Sequence, residues 1–99
     1  MGHKAMNEIG RIEEVFQLKG RSGVILAPGI NTCLLMEPLK VGIEIKIINP
    51  SGSEIDTNIA YIEMPQIKDS SKAGVIPIGL PGNIKKVSIE AGAIIYECK

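Results

Sequence analysis

An apolar run, a Pro-Gly turn, a short basic segment and a second apolar run led by glycine follow one another in Gly74-Val75-Ile76-Pro77-Ile78-Gly79-Leu80-Pro81-Gly82-Asn83-Ile84-Lys85-Lys86-Val87-Ser88-Ile89-Glu90-Ala91-Gly92-Ala93-Ile94-Ile95. Both apolar runs are short and rich in β-branched residues, which is typical of strands. Because proline cannot donate to a sheet, the first strand should be an edge strand or carry a bulge at Pro77. The stretch predicts two strands of a small all-β domain, with a connection that crosses between them.

The middle of the chain predicts a β-hairpin. Residues 40–48 alternate apolar and polar side chains, the pattern of a strand with one buried face. The apolar members are Val41, Ile43, Ile45 and Ile47. Asn49-Pro50-Ser51-Gly52 matches a type I turn, with Asn first, Pro second and Gly last. Residues 56–64 are the expected partner strand.

The beginning of the chain has a mixed pattern. Ile9, Ile12 and Phe16 fit a helical spacing. Gly10 weakens a helix at this place, because glycine loses the most backbone entropy when it is ordered. We therefore interpret residues 13–18 as a strand.

Glycine and proline divide the segment that follows. Residues 19–23 hold two glycines around a cation, which indicates a hairpin-type turn, with a small anion-contacting loop as the alternative. Residues 24–27 are typical of a buried strand, Pro28-Gly29 of a turn, and residues 31–37 of a further strand. Six or seven short strands with Gly/Pro turns, and no convincing helix, predict a closed barrel or a sandwich.

Length and composition point to one domain. A chain of 99 residues with 44% hydrophobic content can bury ~65% of its unfolded surface, which is enough for one modest core. Residues 6–99 are expected to form this domain. Residues 1–5 are interpreted as the remnant of an added tag or a disordered start, and they contain the single histidine, His3.

Charge and aromatic content bear on the class of partner. Eleven basic and eleven acidic residues give a formal net charge of zero, whereas nucleic-acid binders usually carry a basic excess. Three aromatic residues offer little base stacking. No apolar run approaches the ~20 residues of a membrane span, and the start lacks the apolar core of a signal peptide. We expect a cytoplasmic protein that does not bind a membrane.

The sequence offers little reactive chemistry. Without a usable histidine no Ser-His-Asp or Cys-His arrangement can form, and Glu54-x-Asp56 is too sparse for a calcium loop. We expect no enzymatic activity, cofactor, metal or nucleotide, although a paired-carboxylate hydrolase stays open. Cys33 and Cys98 are interpreted as two ordinary thiols, with a single bridge as the alternative.

Several short motifs carry a family resemblance. In chain order they are Ile12-Glu13-Glu14-Val15-Phe16, Gly20-Arg21-Ser22, Lys40-Val41-Gly42-Ile43-Glu44-Ile45, Ala73-Gly74, Ile84-Lys85 and Ile89-Glu90-Ala91-Gly92. By their order and spacing, residues 12–97 resemble the second domain of translational GTPases such as elongation factor Tu and initiation factor two. The resemblance implies a small closed Greek-key β-barrel of six to seven strands that contacts RNA or the ribosome. The GTPase domain has no counterpart here, so nucleotide hydrolysis is not implied.

Departures from the family separate two main hypotheses. Leu26-Ala27-Pro28-Gly29-Ile30, Val75-Ile76-Pro77-Ile78 and Gly82 stand where the family has polar residues near an RNA end. We therefore expect a freestanding, non-enzymatic interaction module that binds a protein or a second copy of itself. Its contact is expected at an edge strand near Pro77 or at an apolar patch around Leu34-Leu35-Met36.

The alternative is an RNA- or ribosome-contacting module. Its candidate contacts are Lys19, Arg21, Lys85 and Lys86. Lys85-Lys86 is the only basic doublet among the candidates, and its other interpretation is a solvated loop. A small enzyme is the third hypothesis, and it requires a deep pocket that gathers carboxylates.

Overall fold

The structure, a computed structural model, describes residues 6–17, 20, 23–63 and 75–98. The described part is one antiparallel sheet with two short 3-10 turns, Thr32–Leu34 and Lys86–Ser88. The strands are β1 (Met6–Gln17), β2 (Val24–Asn31), β3 (Glu44–Ile48), β4 (Glu54–Asn58), β5 (Tyr61–Ile62), β6 (Val75–Gly79) and β7 (Ile94–Cys98). No helix in these ranges has the length and apolar character needed to cross a membrane.

The sheet curls because its two edge strands are neighbours in the chain. The strand order is β4-β3-β7-β1-β2-β6-β5, and only Ile59 and Ala60 separate β4 from β5. The Ile59 amide donates to the carbonyl of Ile43, the residue just before β3, at 3.0 Å. The Ala60 amide donates to the Gly79 carbonyl at 2.9 Å, at the end of β6. The backbone thus passes from one edge of the sheet to the other, and the predicted all-β, barrel-like fold is confirmed.

Isoleucine dominates the core inside the curl. Each fully buried aliphatic side chain of this size contributes about 1.5–3 kcal/mol relative to exposure. The buried cluster comprises Ile9, Ile12, Val24, Leu26, Ile30, Ile43, Ile45, Ile47, Ile59, Ile78, Leu80, Ile89, Ala93 and Ile95. The predicted alternation holds within β3, because Ile45 and Ile47 are buried while Glu44 is exposed. Val41, which is predicted on the same buried face, is 58% exposed.

Two irregularities in β1 explain its mixed sequence pattern. The register shifts between Glu8 and Gly10 against β7, and between Ile12 and Glu14 against β2. A bulge inserts one residue and turns the following side chains to the other face. Ile9 and Ile12, three residues apart, are therefore both buried. The strand prediction for residues 13–18 is confirmed for the described positions, and the strand begins earlier, at Met6.

Pro77 lies inside the sheet, so of the two predicted alternatives, an edge strand or a bulge, the structure has the bulge. Strand β6 is flanked by β2 and β5. The predicted bulge is confirmed, because three β2 residues lie between the partners of Ile78 and Ile76. The Pro77 carbonyl accepts from the Glu63 amide at 3.0 Å, beyond the last paired residue of β5. The short β5 ladder ends beside the proline, where its missing donor matters least.

Three other local predictions are corrected. Pro28-Gly29 does not end the strand, since β2 continues to Asn31, although Gly29 has the expected positive φ of 104°. The predicted strand 31–37 is instead the turn Thr32–Leu34, whose start is capped by the Asn31 side chain accepting from the Cys33 amide at 3.0 Å. Such local side-chain hydrogen bonds compete with strand formation. Residues 40–43 precede β3, with Gly42 at φ 102°.

The predicted hairpin is confirmed in its turn and its pairing. The Gly52 amide donates to the Asn49 carbonyl at 2.8 Å, and β3 pairs with β4 from Glu44–Asn58 to Ile48–Glu54. The expected partner strand 56–64 is divided into β4 and β5, and Met64 lies outside the described residues. Residues 1–5 and most of the predicted turn 19–23 also lie outside them.

Candidate interaction surfaces

A buried carboxylate marks one end of the sheet. Strand β7 alternates, so Glu97 faces inward with Ile95, and only 1% of Glu97 is exposed. Its neighbours across the sheet are Asn7 in β1 and Ile45 in β3. Burial of a carboxylate is costly unless hydrogen bonds replace its lost water.

Those hydrogen bonds fix the segment after β2. One Glu97 oxygen, Oε1, accepts from the Met36 amide at 3.0 Å and from the Asn7 side-chain amide at 3.2 Å. Asn7 Nδ2 also donates to the Leu34 carbonyl. Glu97 and Asn7 therefore hold the backbone of residues 34–36 against the ends of β1 and β7.

The segment held in this way carries exposed apolar side chains. Leu34 is 47% exposed and Met36 is 68% exposed, while Leu35 packs against the core. Met6, beside Asn7 in β1, is exposed as well. We call Leu34 and Met36 the apolar surface. The patch predicted around Leu34-Leu35-Met36 thus has two of its three residues facing solvent.

A cleft adjoins the apolar surface and shares Leu34 with it. Its volume is about 290 Å³. The lining residues are Glu8, Gly10, Arg11, Pro28, Gly29, Asn31, Leu34 and Val75. In a regular strand, residues three positions apart face opposite sides of the sheet. The extra residue that the β1 bulge inserts at Ile9 changes this alternation, so Glu8 and Arg11 face the same side.

Two of the residues that line the cleft, Gly10 and Gly29, are glycines at a close approach of neighbouring strands. Gly29 is the partner of Arg11 across β1 and β2, so no side chain stands beside Arg11 on β2. A Cβ on Gly29 would collide with the Ile76 carbonyl, and a Cβ on Gly10 would collide with the Gly29 carbonyl. The three strands approach so closely here that only glycine fits at these two positions.

The structure describes two of the four predicted basic contacts. Lys85 and Lys86 are exposed at the start of the turn Lys86–Ser88, and Lys19 and Arg21 lie outside the described residues. The β1–β2 connection returns to the sheet at Gly23, where the Gln17 side chain donates to the Gly23 carbonyl at 3.1 Å. The Leu80 amide donates to the Val24 carbonyl at 2.9 Å. The chain therefore leaves β6 towards Lys85 close to the place where the β1–β2 connection enters β2.

A buried asparagine anchors the basic doublet. Asn49 is 3% exposed, and its Nδ2 donates to the Ser53 hydroxyl and to the Ser88 carbonyl, each at 2.9 Å. Its Oδ1 accepts from the Glu90 amide at 3.0 Å. Asn49 thus fixes the β3–β4 turn and the residues that follow Lys86 relative to one another.

Among the other ionisable groups, Lys46 forms surface ion pairs with two carboxylates. Lys46 Nζ lies 2.9 Å from Glu54 and 3.6 Å from Asp56. The hydrogen bond to Glu54 and then the charge of Asp56 raise the pKa of Lys46 above its usual 10.5. Within the described ranges, no group of three His, Cys, Asp or Glu side chains is placed to hold a metal ion. No disulfide joins Cys33 to Cys98, so the bridge alternative is absent from this structure.

Sequence reasoning missed Glu97, Asn7 and the cleft. The signal for Glu97 was its inward position in an otherwise apolar alternating strand, two residues after Ile95. The cleft left no such signal, because it depends on the bulge at Ile9 and on strand crossing.

Comparisons with protein-family models, curated proteins and solved structures found no match to this chain.

Proposed function

We propose that the protein is a non-enzymatic, barrel-like interaction module that binds a protein partner through the apolar surface. One observation carries the proposal: a nearly fully buried carboxylate, Glu97, holds the backbone beneath the exposed Leu34 and Met36. Burial of a carboxylate carries a large desolvation free energy, which is a high cost for the stabilisation of one loop. A fixed apolar surface, in contrast, binds a partner without an ordering cost on its own side.

The side chains suit this role. Methionine and leucine fill irregular apolar pockets, and methionine adapts its shape at interfaces. Exposed apolar side chains that are grouped, rather than scattered singly, mark protein contacts. The setting we propose, in line with the resemblance to domain two of translational GTPases, is a module in the cytoplasm that needs no nucleotide, cofactor or metal.

The proposal is tested by surface-dependent capture. The immobilised protein, Met36→Gln and Val87→Gln are exposed to a lysate of the source cells at high salt, and the bound proteins are compared. Val87 is 92% exposed and lies outside the apolar surface, so its variant is the matched control. We expect one partner to be retained by the wild type and Val87→Gln and lost from Met36→Gln.

Two results contradict the proposal. Equal capture by all three baits would show that the apolar surface is not the contact. Sedimentation of the wild type as a dimer that Met36→Gln converts to a monomer would make the partner a second copy of the chain. A folded Met36→Gln protein, checked by circular dichroism, is required for either comparison.

An RNA-contacting module is the second candidate. The observation that favours it is the anchoring of the exposed Lys85 and Lys86 by Asn49, next to the end of the β1–β2 connection that contains Lys19 and Arg21. Binding of a labelled single-stranded RNA should weaken as salt rises, because phosphate contacts release counterions. The Lys85→Ala, Lys86→Ala double variant should reduce the salt slope by about two. Absence of salt-dependent RNA binding rejects this candidate.

A further inference from the structure

The charged residues of the cleft are available to a ligand. In the part of the chain that the structure describes, neither the Glu8 carboxylate nor the Arg11 guanidinium pairs with another side chain. Both side chains are exposed. They lie three positions apart in β1, which is at most about 10 Å between their Cα atoms. The cleft therefore offers a negative and a positive group that are held apart along its length.

Apolar groups line part of the cleft. Leu34 and Val75 contribute side chains, and Gly29 contributes bare backbone. The volume of about 290 Å³ lies at the lower limit of cavities that hold small-molecule ligands, which span about 300–1,000 Å³. A space of this size accommodates an apolar side chain of a bound segment.

An extended peptide fits this arrangement. In an extended chain, residues i, i+2 and i+4 face the same side and span about 13 Å. An apolar residue at i+2 would enter the cleft, and long charged side chains at i and i+4 would reach Arg11 and Glu8. Leu34 belongs to both the cleft and the apolar surface, so a partner seated on that surface would lie beside the cleft.

We infer that the cleft binds an extended segment of the protein partner in which an apolar side chain stands two residues from an acidic and two residues from a basic one. The acidic side chain binds Arg11, the basic side chain binds Glu8, and the apolar side chain packs on Leu34 and Val75. The inference rests on the proposed protein-binding function and names the chemistry of the partner.

The test uses defined peptides and does not need the partner. The ¹⁵N-labelled protein is titrated by NMR with acetyl-Gly-Glu-Ser-Leu-Ser-Lys-Gly-amide, with the peptide in which Glu and Lys are exchanged, and with one in which both are Gln. We expect one of the charged peptides to bind with a Kd on the order of 0.1–1 mM. The shifted amides should be those of Gly10, Arg11, Gly29, Asn31 and Leu34.

Charge-reversal variants make the test specific. Arg11→Glu and Glu8→Lys should each weaken binding of the preferred peptide at least tenfold. The double variant Glu8→Lys, Arg11→Glu should reverse the preference between the two charged peptides. Glu13→Lys, an exposed charge reversal on the same strand outside the cleft lining, is the matched control and should stay within twofold of the wild type.

Four outcomes overturn the inference. They are absence of shifts at the cleft amides, equal binding of the Gln peptide, insensitivity to Arg11→Glu, and equal shifts with free leucine. Capture of the partner separates this inference from the proposed function. If Met36→Gln loses the partner while Arg11→Glu retains it, the apolar surface stands and the cleft inference fails. If Met36→Gln retains the partner and Arg11→Glu loses it, the apolar surface is not required.

Discussion

Replacement of Asn49 by alanine should destabilise the fold strongly. The substitution removes three hydrogen bonds, to the Ser53 hydroxyl, the Ser88 carbonyl and the Glu90 amide. Each neutral hydrogen bond contributes about 0.5–1.5 kcal/mol net, which gives a loss of about 3 kcal/mol. Because domains of this size have a free energy of unfolding of only ~5–15 kcal/mol, the loss is a large fraction of the total. The melting temperature should fall by about 12–24 °C.

Urea unfolding followed by circular dichroism measures this loss directly. The midpoint should fall while the slope m stays constant, because the surface exposed on unfolding is unchanged. Asn83→Ala is the matched control. Asn83 is exposed in the connection between β6 and β7, which also contains Ser88 and Glu90, and its side chain makes no hydrogen bond within the described ranges. A loss below about 1 kcal/mol for Asn49→Ala, or an equal loss for the control, would refute the proposed role of Asn49 as the anchor between the two loops.

Three further predictions concern the backbone, the charges and the thiols. Gly29→Ala should cost about 2–5 kcal/mol, because its φ of 104° is strained for alanine and its Cβ would strike a neighbouring strand; the urea midpoint measures this cost. The raised pKa of Lys46 means that its contribution to stability is present below about pH 10.5 and is lost as pH rises through the folded-state pKa. In Glu54→Gln the pKa of Lys46, measured by ¹³C NMR titration, should fall towards 10.5, and an unchanged value would contradict the assigned cause. Exposed Cys33 should react with a thiol reagent before the half-buried Cys98, and Cys33→Ser should abolish the fast phase.

Period-two patterning and turn chemistry were sufficient for the β3–β4 hairpin. Alternating isoleucines defined the buried face of β3, and Asn49-Pro50-Ser51-Gly52 encoded its own turn. Both signals are local, so a single sequence contains them. The all-β class followed from the same kind of signal, repeated along the chain.

Local patterns failed where a distant part of the chain set the conformation. The alternation of β1 breaks at bulges that exist only relative to β7 and β2. Pro77 is tolerated in an interior strand because its β5 neighbour ends beside it, which no local pattern shows. Residues 31–37 are apolar as a strand would be, yet the Asn31 side chain caps a turn there instead.

The sequence by itself determined the class of fold and the hairpin, because these depend on residue type and on neighbours in the chain. Tertiary structure alone decided the apolar surface and the cleft. Glu97 and Asn7 are 90 residues apart and meet only because β7 pairs with β1. Glu8 and Arg11 share a cleft only because a bulge re-aims one of them over a floor of glycine. Pairing of distant strands, which a single sequence does not encode locally, created both surfaces.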